Sequence, residues 1–141
     1  MSLESTIRTQ LLTNSSITAI VGSRIFVGDT PSKYIYPFIR IGNAGSEPGE
    51  YRLKNRRTKT IAIDIFAEHN ADLKKYGYST LDSIFDAIRI QFEGFELTRL
   101  TDTDHSYDVL EAEYREYSTR KNSAFNDVHL PTTLTIIYNI I

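Results

Sequence analysis

The chain has 141 residues, 40% hydrophobic and 24% charged, with a formal net charge of -2. That length suits one ordinary domain with a buried core, and the composition lies far from the disordered regime. Slight acidity speaks against a general nucleic-acid binder, which carries a strong positive excess, and the lack of cysteine excludes disulfides, thiolate zinc sites and thiol nucleophiles.

A cysteine-free chain fits a reducing cytosol. The opening MSLESTIRTQLLTNSS has neither the charged start nor the continuous apolar run of a secretory signal. No apolar stretch approaches the roughly 20 residues that span a bilayer. The expectation is a soluble chain without a membrane partner.

Leu3, Ile7, Leu11 and Leu12 recur at helical spacing and predict a helix over about 3–12. Thr13 to Ser16 breaks it, and Ser15 or Ser16 is placed to cap a second short turn carrying Ile17, Ile20 and Val21. Gly22 can end that turn in a left-handed conformation. Ile25 to Val27 is a brief β-prone run closed by Gly28 and Asp29. Pro31 and Pro37 bracket a tyrosine-rich loop, and Phe38 to Ile41 reads as a strand beginning after Pro37.

From Gly42 to Asn55 the composition turns to Gly, Ser, Pro, Glu and Lys, which predicts a projecting loop or hairpin arm at about 42–58. Thr58 to Phe66 is the clearest strand, with Thr60, Ala62, Asp64 and Phe66 alternating with Ile61, Ile63 and Ile65. A stronger helix follows, capped by Asn70, with Leu73, Tyr76, Leu81, Ile84, Phe85, Ile88 and Phe92 on one face and Gly94 as its stop. Gly77 inside it would cost about 1 kcal/mol against alanine.

Phe95 to Leu100 and Tyr107 to Tyr117 read as strands, separated from the last by a polar, patternless Ser118–Val128. The last strand runs from Leu130 to Ile140, with Leu134, Ile136, Tyr138 and Ile140 facing one way. The order predicts an α+β fold in one domain, 1–141, with a mostly antiparallel β-sheet and two main helices packed on one face. Ile140 and Ile141 make an apolar end that the sheet or a neighbouring subunit should cover.

Chemistry is sparse. His69, His105 and His129 have no partner at metal-ligating helical spacing. Asp102, Asp104, His105 and Asp108 read as a solvated turn, since the glycine and closing glutamate of a calcium loop are missing. A nuclease site would use Asp64 with Glu68, or Asp108 with Glu111 and Glu113, but the strand lysine such sites carry is replaced by Asn70 or Glu113. Neither catalytic residues nor a cofactor or metal is expected.

Arg52, Lys54, Arg56, Arg57 and Lys59, flanked by Tyr51, form the basic cluster. Two readings stand: contact with phosphate or an acidic partner surface, or a charged arm kept soluble at its tip. Tyr76, Tyr114 and Tyr138 sit on apolar faces as core residues. Tyr34, Tyr36 and Tyr51 lie in loops, where amphipathic rings suit subunit contacts.

The phrases MSLESTIRTQLL, ITAIVGSRIFVGDTP, YPFIRIG and TIAIDIFA, followed by a helix around LDSIFDAIRIQF and a terminal strand, resemble the tail-completion proteins of long-tailed bacteriophages and prophages. These are also called tail-terminator or head-to-tail joining proteins. The resemblance implies a structural virion protein, not an enzyme, that forms a ring, typically hexameric, caps the tail tube and joins tail to head. The implied partners are further copies of the chain, the tail-tube protein and a neck or connector protein, with DNA passing through the ring without being specifically bound. The implied location is the virion, and the bacterial host cytoplasm during assembly. The Gly42–Asn55 arm and the Ser118–Val128 segment look longer than the family core. Subunit or partner contacts are expected at Tyr34, Tyr36, Tyr51, Arg52, Lys54, Arg56, Arg57, Lys59, Ile140 and Ile141. The alternatives are a neck connector of the same particle and a metal-dependent nuclease.

Overall fold

The computed structural model describes residues 3–28, 35–48, 56–93, 99–101, 106–122 and 125–140. In chain order these form α1 (Leu3–Leu12), α2 (Ser15–Val21), β1 (Ile25–Val27), β2 (Phe38–Pro48) and β3 (Arg56–Glu68). A 3-10 turn (Ala71–Leu73) and α3 (Tyr78–Phe92) follow, then β4 (Arg99–Thr101), β5 (Ser106–Glu116), β6 (Arg120–Asn122) and β7 (Asp127–Ile140). The strands make one sheet in the order β1-β2-β3-β7-β5-β4, with β6 alongside β7. The β1–β2 pair is parallel and the other ladders are antiparallel, so the fold is α+β as the sequence predicts.

Alternation along β3 decides which face is buried. Ile61, Ile63 and Ile65 are fully enclosed, while Thr60, Ala62, Asp64 and Phe66 stand on the opposite face half-exposed. Register aligns the apolar set across strands: Ile41 opposes Ile63, Ile39 opposes Ile65, and Leu134 opposes Ile61. Leu3, Ile7 and Leu11 of α1, Ile17 and Val21 of α2, and Leu81, Ile84, Ile88 and Phe92 of α3 pack into the same core. All three helices therefore cover one face. Each enclosed aliphatic side chain contributes about 1.5–3 kcal/mol relative to exposure.

Polar contacts fix how the helices seat. Glu4 of α1 pairs with Lys59 of β3 at 2.7 Å, both side chains largely enclosed. Gln91 of α3 accepts from Asn14 Nδ2 at 2.9 Å and donates to the Gln10 carbonyl at 3.0 Å, so the α1–α2 corner is tied to α3. Just beyond α3, Glu93 Oε1 accepts the Tyr114 backbone N–H at 2.8 Å. The Tyr114 ring stacks on Phe85 with centroids 5.0 Å apart, and burial pushes its phenol pKa up.

Several boundaries differ from expectation. Asn14, not Ser15 or Ser16, caps α2, its side chain accepting the Ser16 N–H at 3.0 Å; Gly22 closes that helix with φ 61°. Of the two alternatives for residues 42–48, loop or hairpin, the paired one holds: β2 stays paired with β3 to Pro48 opposite Arg57, through a bulge at Asn43/Gly45. Residues 49–55 lie outside the described residues. Asn70 caps the 3-10 turn and not α3, and Leu73 and Tyr76 are exposed. Gly77 is the N-cap of α3 and not an interior residue. Arg120 to Asn122 and Asp127 to Val128, read as patternless, pair as strand. The Gly94 stop and 95–98 lie outside the described residues; in place of the strand read at Phe95–Leu100, the described strand is β4 at Arg99–Thr101.

Candidate functional site on the helix-free face

Because every described helix lies on one side, the other side of the sheet is a surface built from the alternate residues of each strand. Phe38 opposes Phe66, Phe66 opposes His129, and His129 opposes Arg120, so four strands contribute one row. The rings stack along it: Phe38 and Phe66 at 4.6 Å and 13°, Phe66 and His129 at 4.3 Å and 6°. Those spacings match the roughly 4.7–4.9 Å between strands, so the stack axis runs across the sheet and the ring edges face outward. Phe26 meets Phe38 edge-on at 6.1 Å and Tyr36 lies tilted on it at 5.5 Å. This packing encloses Phe38 although it lies outside the helix-covered core.

Charge is placed in the adjoining row. Asp64 Oδ2 lies 3.3 Å from Arg40 Nη2, and its Oδ1 lies 2.9 Å from His129 Nε2. Burial raises the Asp64 pKa, but hydrogen bonds from His129 and Arg40 and their charges outweigh it and hold the carboxyl below its ordinary value. The Arg40 guanidinium also stands over Phe66, 5.3 Å from the ring centroid. Tyr36, joined to Pro37 by a cis peptide, donates its hydroxyl to Asp127 Oδ2 at 2.7 Å. Arg40, Phe66, His129 and Asp127 border a cleft of about 410 Å³, lined also by Phe38, Arg120 to Asn122 and Phe125.

The residues singled out from sequence scatter. Tyr36 is half-buried beside this cleft, tied to Asp127. Lys59 is bound to Glu4 on the helix side, and this separates it from an exposed basic cluster. Arg57 is exposed at the hairpin, opposite Tyr138. Arg56 lies in β3 opposite Asn139. Tyr34, Tyr51, Arg52, Lys54 and Ile141 lie outside the described residues. Ile140 ends β7 opposite Tyr107, and β7 is held on both edges, by β3 on one side and β5 and β6 on the other. The C-terminal strand is therefore interior to the sheet: one face is packed in the core, and neither edge is free to pair with a neighbour. Of the expected core tyrosines, Tyr114 and Tyr138 are buried, whereas Tyr76 is 61% exposed and packs edge-on against buried His69.

The acids offered for metal chemistry do not converge. Asp64 is engaged by Arg40 and His129; Glu68 faces Lys75 at 3.4 Å; Glu113 pairs with Arg115 at 2.6 Å. Asp108 opposes Arg99, while Asp102, Asp104 and His105 lie outside the described residues. Among the described residues no group of three His, Asp or Glu side chains is gathered to hold a metal ion. No described helix is long and apolar enough to cross a membrane. Sequence reasoning missed the Phe38–Phe66–His129 row. Its one visible sign was Phe66 on the polar face of an otherwise regular strand.

No family model matches the sequence, and no curated protein matches it. Among solved structures the chain is similar to one in an assembly described as the virion of a native gene transfer agent particle. The two superpose with a TM-score of 0.71 over 98% of this chain and 95% of the other, at 12% identity. Likeness at that identity establishes a shared fold.

Proposed function

We propose that this chain is a structural virion protein of a phage or prophage, acting by assembly and not by catalysis. It forms a ring, hexameric in this reading, that caps the tail tube and joins the tail to the head. The observation that carries the proposal is the end-to-end likeness of fold to a virion chain, both chains matched almost completely. The tail-completion phrases at the N-terminus and along β2 and β3 point the same way. Dispersal of the described acids leaves the nuclease alternative without an anchor.

Assembly in this reading uses two surfaces. The β2–β3 hairpin stays paired out to Pro48 and Arg57, and in this reading its basic residues Arg52, Lys54, Arg56 and Arg57 meet a neighbouring copy or an acidic partner. The end of β7, with Ile140 and Ile141, is covered by an adjoining subunit. A heterologous contact repeated about an axis closes a ring. The partners are copies of the chain, the tail-tube protein and a neck protein, with DNA passing through unread. The protein resides in the virion, having assembled in the host cytoplasm.

The test is an assay of tube growth. Adding the purified chain to polymerising tube protein should stop elongation and shorten the tube-length distribution. Unchanged tube lengths, with binding instead to the portal side of heads, would replace this reading with that of a neck connector.

A further inference from the structure

We infer that the cleft on the helix-free face is a binding site for an acidic peptide segment of a partner protein, one presenting a carboxylate beside an apolar side chain. The inference stands on the cleft alone and does not require the ring.

Its shape and size fit a few side chains. About 410 Å³ falls in the range of pockets that hold small ligands. One wall is the row Phe38, Phe66 and His129; Phe38 is enclosed, and the stacking turns the ring edges of half-exposed Phe66 and His129 toward the opening. The edge of an aromatic ring carries the positive part of its quadrupole, so this wall favours an electron-rich group. Arg40 stands above it with its side chain 40% exposed, still offering donors not directed at Asp64.

The facing wall adds cation and apolar area. Arg120 shares the His129 row, and both Arg120 and Lys121 are exposed with no carboxylate paired to them among the described residues. Phe125, in the turn before β7, is 61% exposed and offers a large apolar surface. The acids nearby are already answered. Asp127 accepts from the Tyr36 hydroxyl, and Asp64 is held between Arg40 and His129. Among the described residues, what the cleft still offers is positive and apolar together.

Nucleic acid fits less well. A single strand is held by bases lying on aromatic faces and by a basic groove following the backbone. Here the ring faces are used up against one another, and the cations are local.

The experiment uses fluorescence anisotropy with the full chain and three labelled probes: a short peptide alternating glutamate and leucine, its glutamine counterpart, and a single-stranded oligonucleotide. The glutamate peptide should bind at least about tenfold more tightly than either other probe. The double variant R120E/K121E, both sites exposed, should weaken that peptide about tenfold or more with an unchanged thermal melt. Equal affinity of the variant and the parent chain, a glutamine peptide that binds as well, or tighter binding of the oligonucleotide would each overturn the inference. Ring formation by the same variant, imaged separately, reports on the assembly proposal independently.

Discussion

His129 Nε2 lies 2.9 Å from Asp64 Oδ1, joining β7 to β3 on the face that no described helix covers. With the Asp64 carboxyl held below its ordinary value, the oxygen accepts and the imidazole N–H donates. The contact predicts an acid sensitivity. Unfolded Asp64 titrates near 3.8, and folded Asp64 lower. Stability from this group is complete above that unfolded value. It is lost as pH falls toward the folded pKa, because the unfolded chain takes up the proton first. Urea midpoints measured between about pH 6 and pH 2 should drop less steeply for Asp64→Asn than for the parent chain.

Gly77→Ala should destabilise the fold. A Cβ there would meet the Glu68 carbonyl oxygen at 2.6 Å, Val128 Cγ2 at 2.7 Å and Ala67 Cβ at 3.0 Å. Backbone and enclosed side chains cannot give way as a flexible tip does. The expected loss is about 2 kcal/mol, typical of overpacking, read from urea unfolding at unchanged m-value.

The Glu4–Lys59 pair predicts a coupled result. Glu4→Gln alone leaves a largely enclosed ammonium without its counter-charge and should cost about 2–3 kcal/mol. Pairing it with Lys59→Met removes both charges, and the double variant should recover about half or more of that loss. Additive losses in this cycle would mean that solvent, not the pair, holds Lys59.

How much of this was legible in the sequence varies by element. Ile61, Ile63 and Ile65 alternate so regularly that β3 and its buried face could be read directly, and Leu3, Ile7 and Leu11 did the same for α1. The start of α3 could not. Leu73 and Tyr76 keep helical spacing to Leu81, yet the chain turns there: Asn70 and Lys75 exchange backbone bonds at 2.8 and 2.9 Å, with Lys74 at φ 54°. Gly77 then caps α3 at a point where the backbone lies close to β3 and β7 and leaves no room for a side chain. The candidate cleft was illegible for a different reason. Phe38, Phe66 and His129 belong to separate strands, and only the register of three strands brings them into one row.

For the hairpin, reversing charge at Arg52, Lys54 and Arg57 to glutamate should abolish self-association on the tail tube while leaving the thermal melt within about 2 °C. Light scattering of tube-bound and free protein distinguishes the outcomes. Retained assembly would move the subunit contact away from the arm.

Negative-stain imaging of the chain mixed with tubes of the major tail-tube protein tests whether the chain caps the tube. Closed rings of the chain should be seated on one end of each tube. Bare tube ends, with the protein remaining as single subunits beside them, would contradict it.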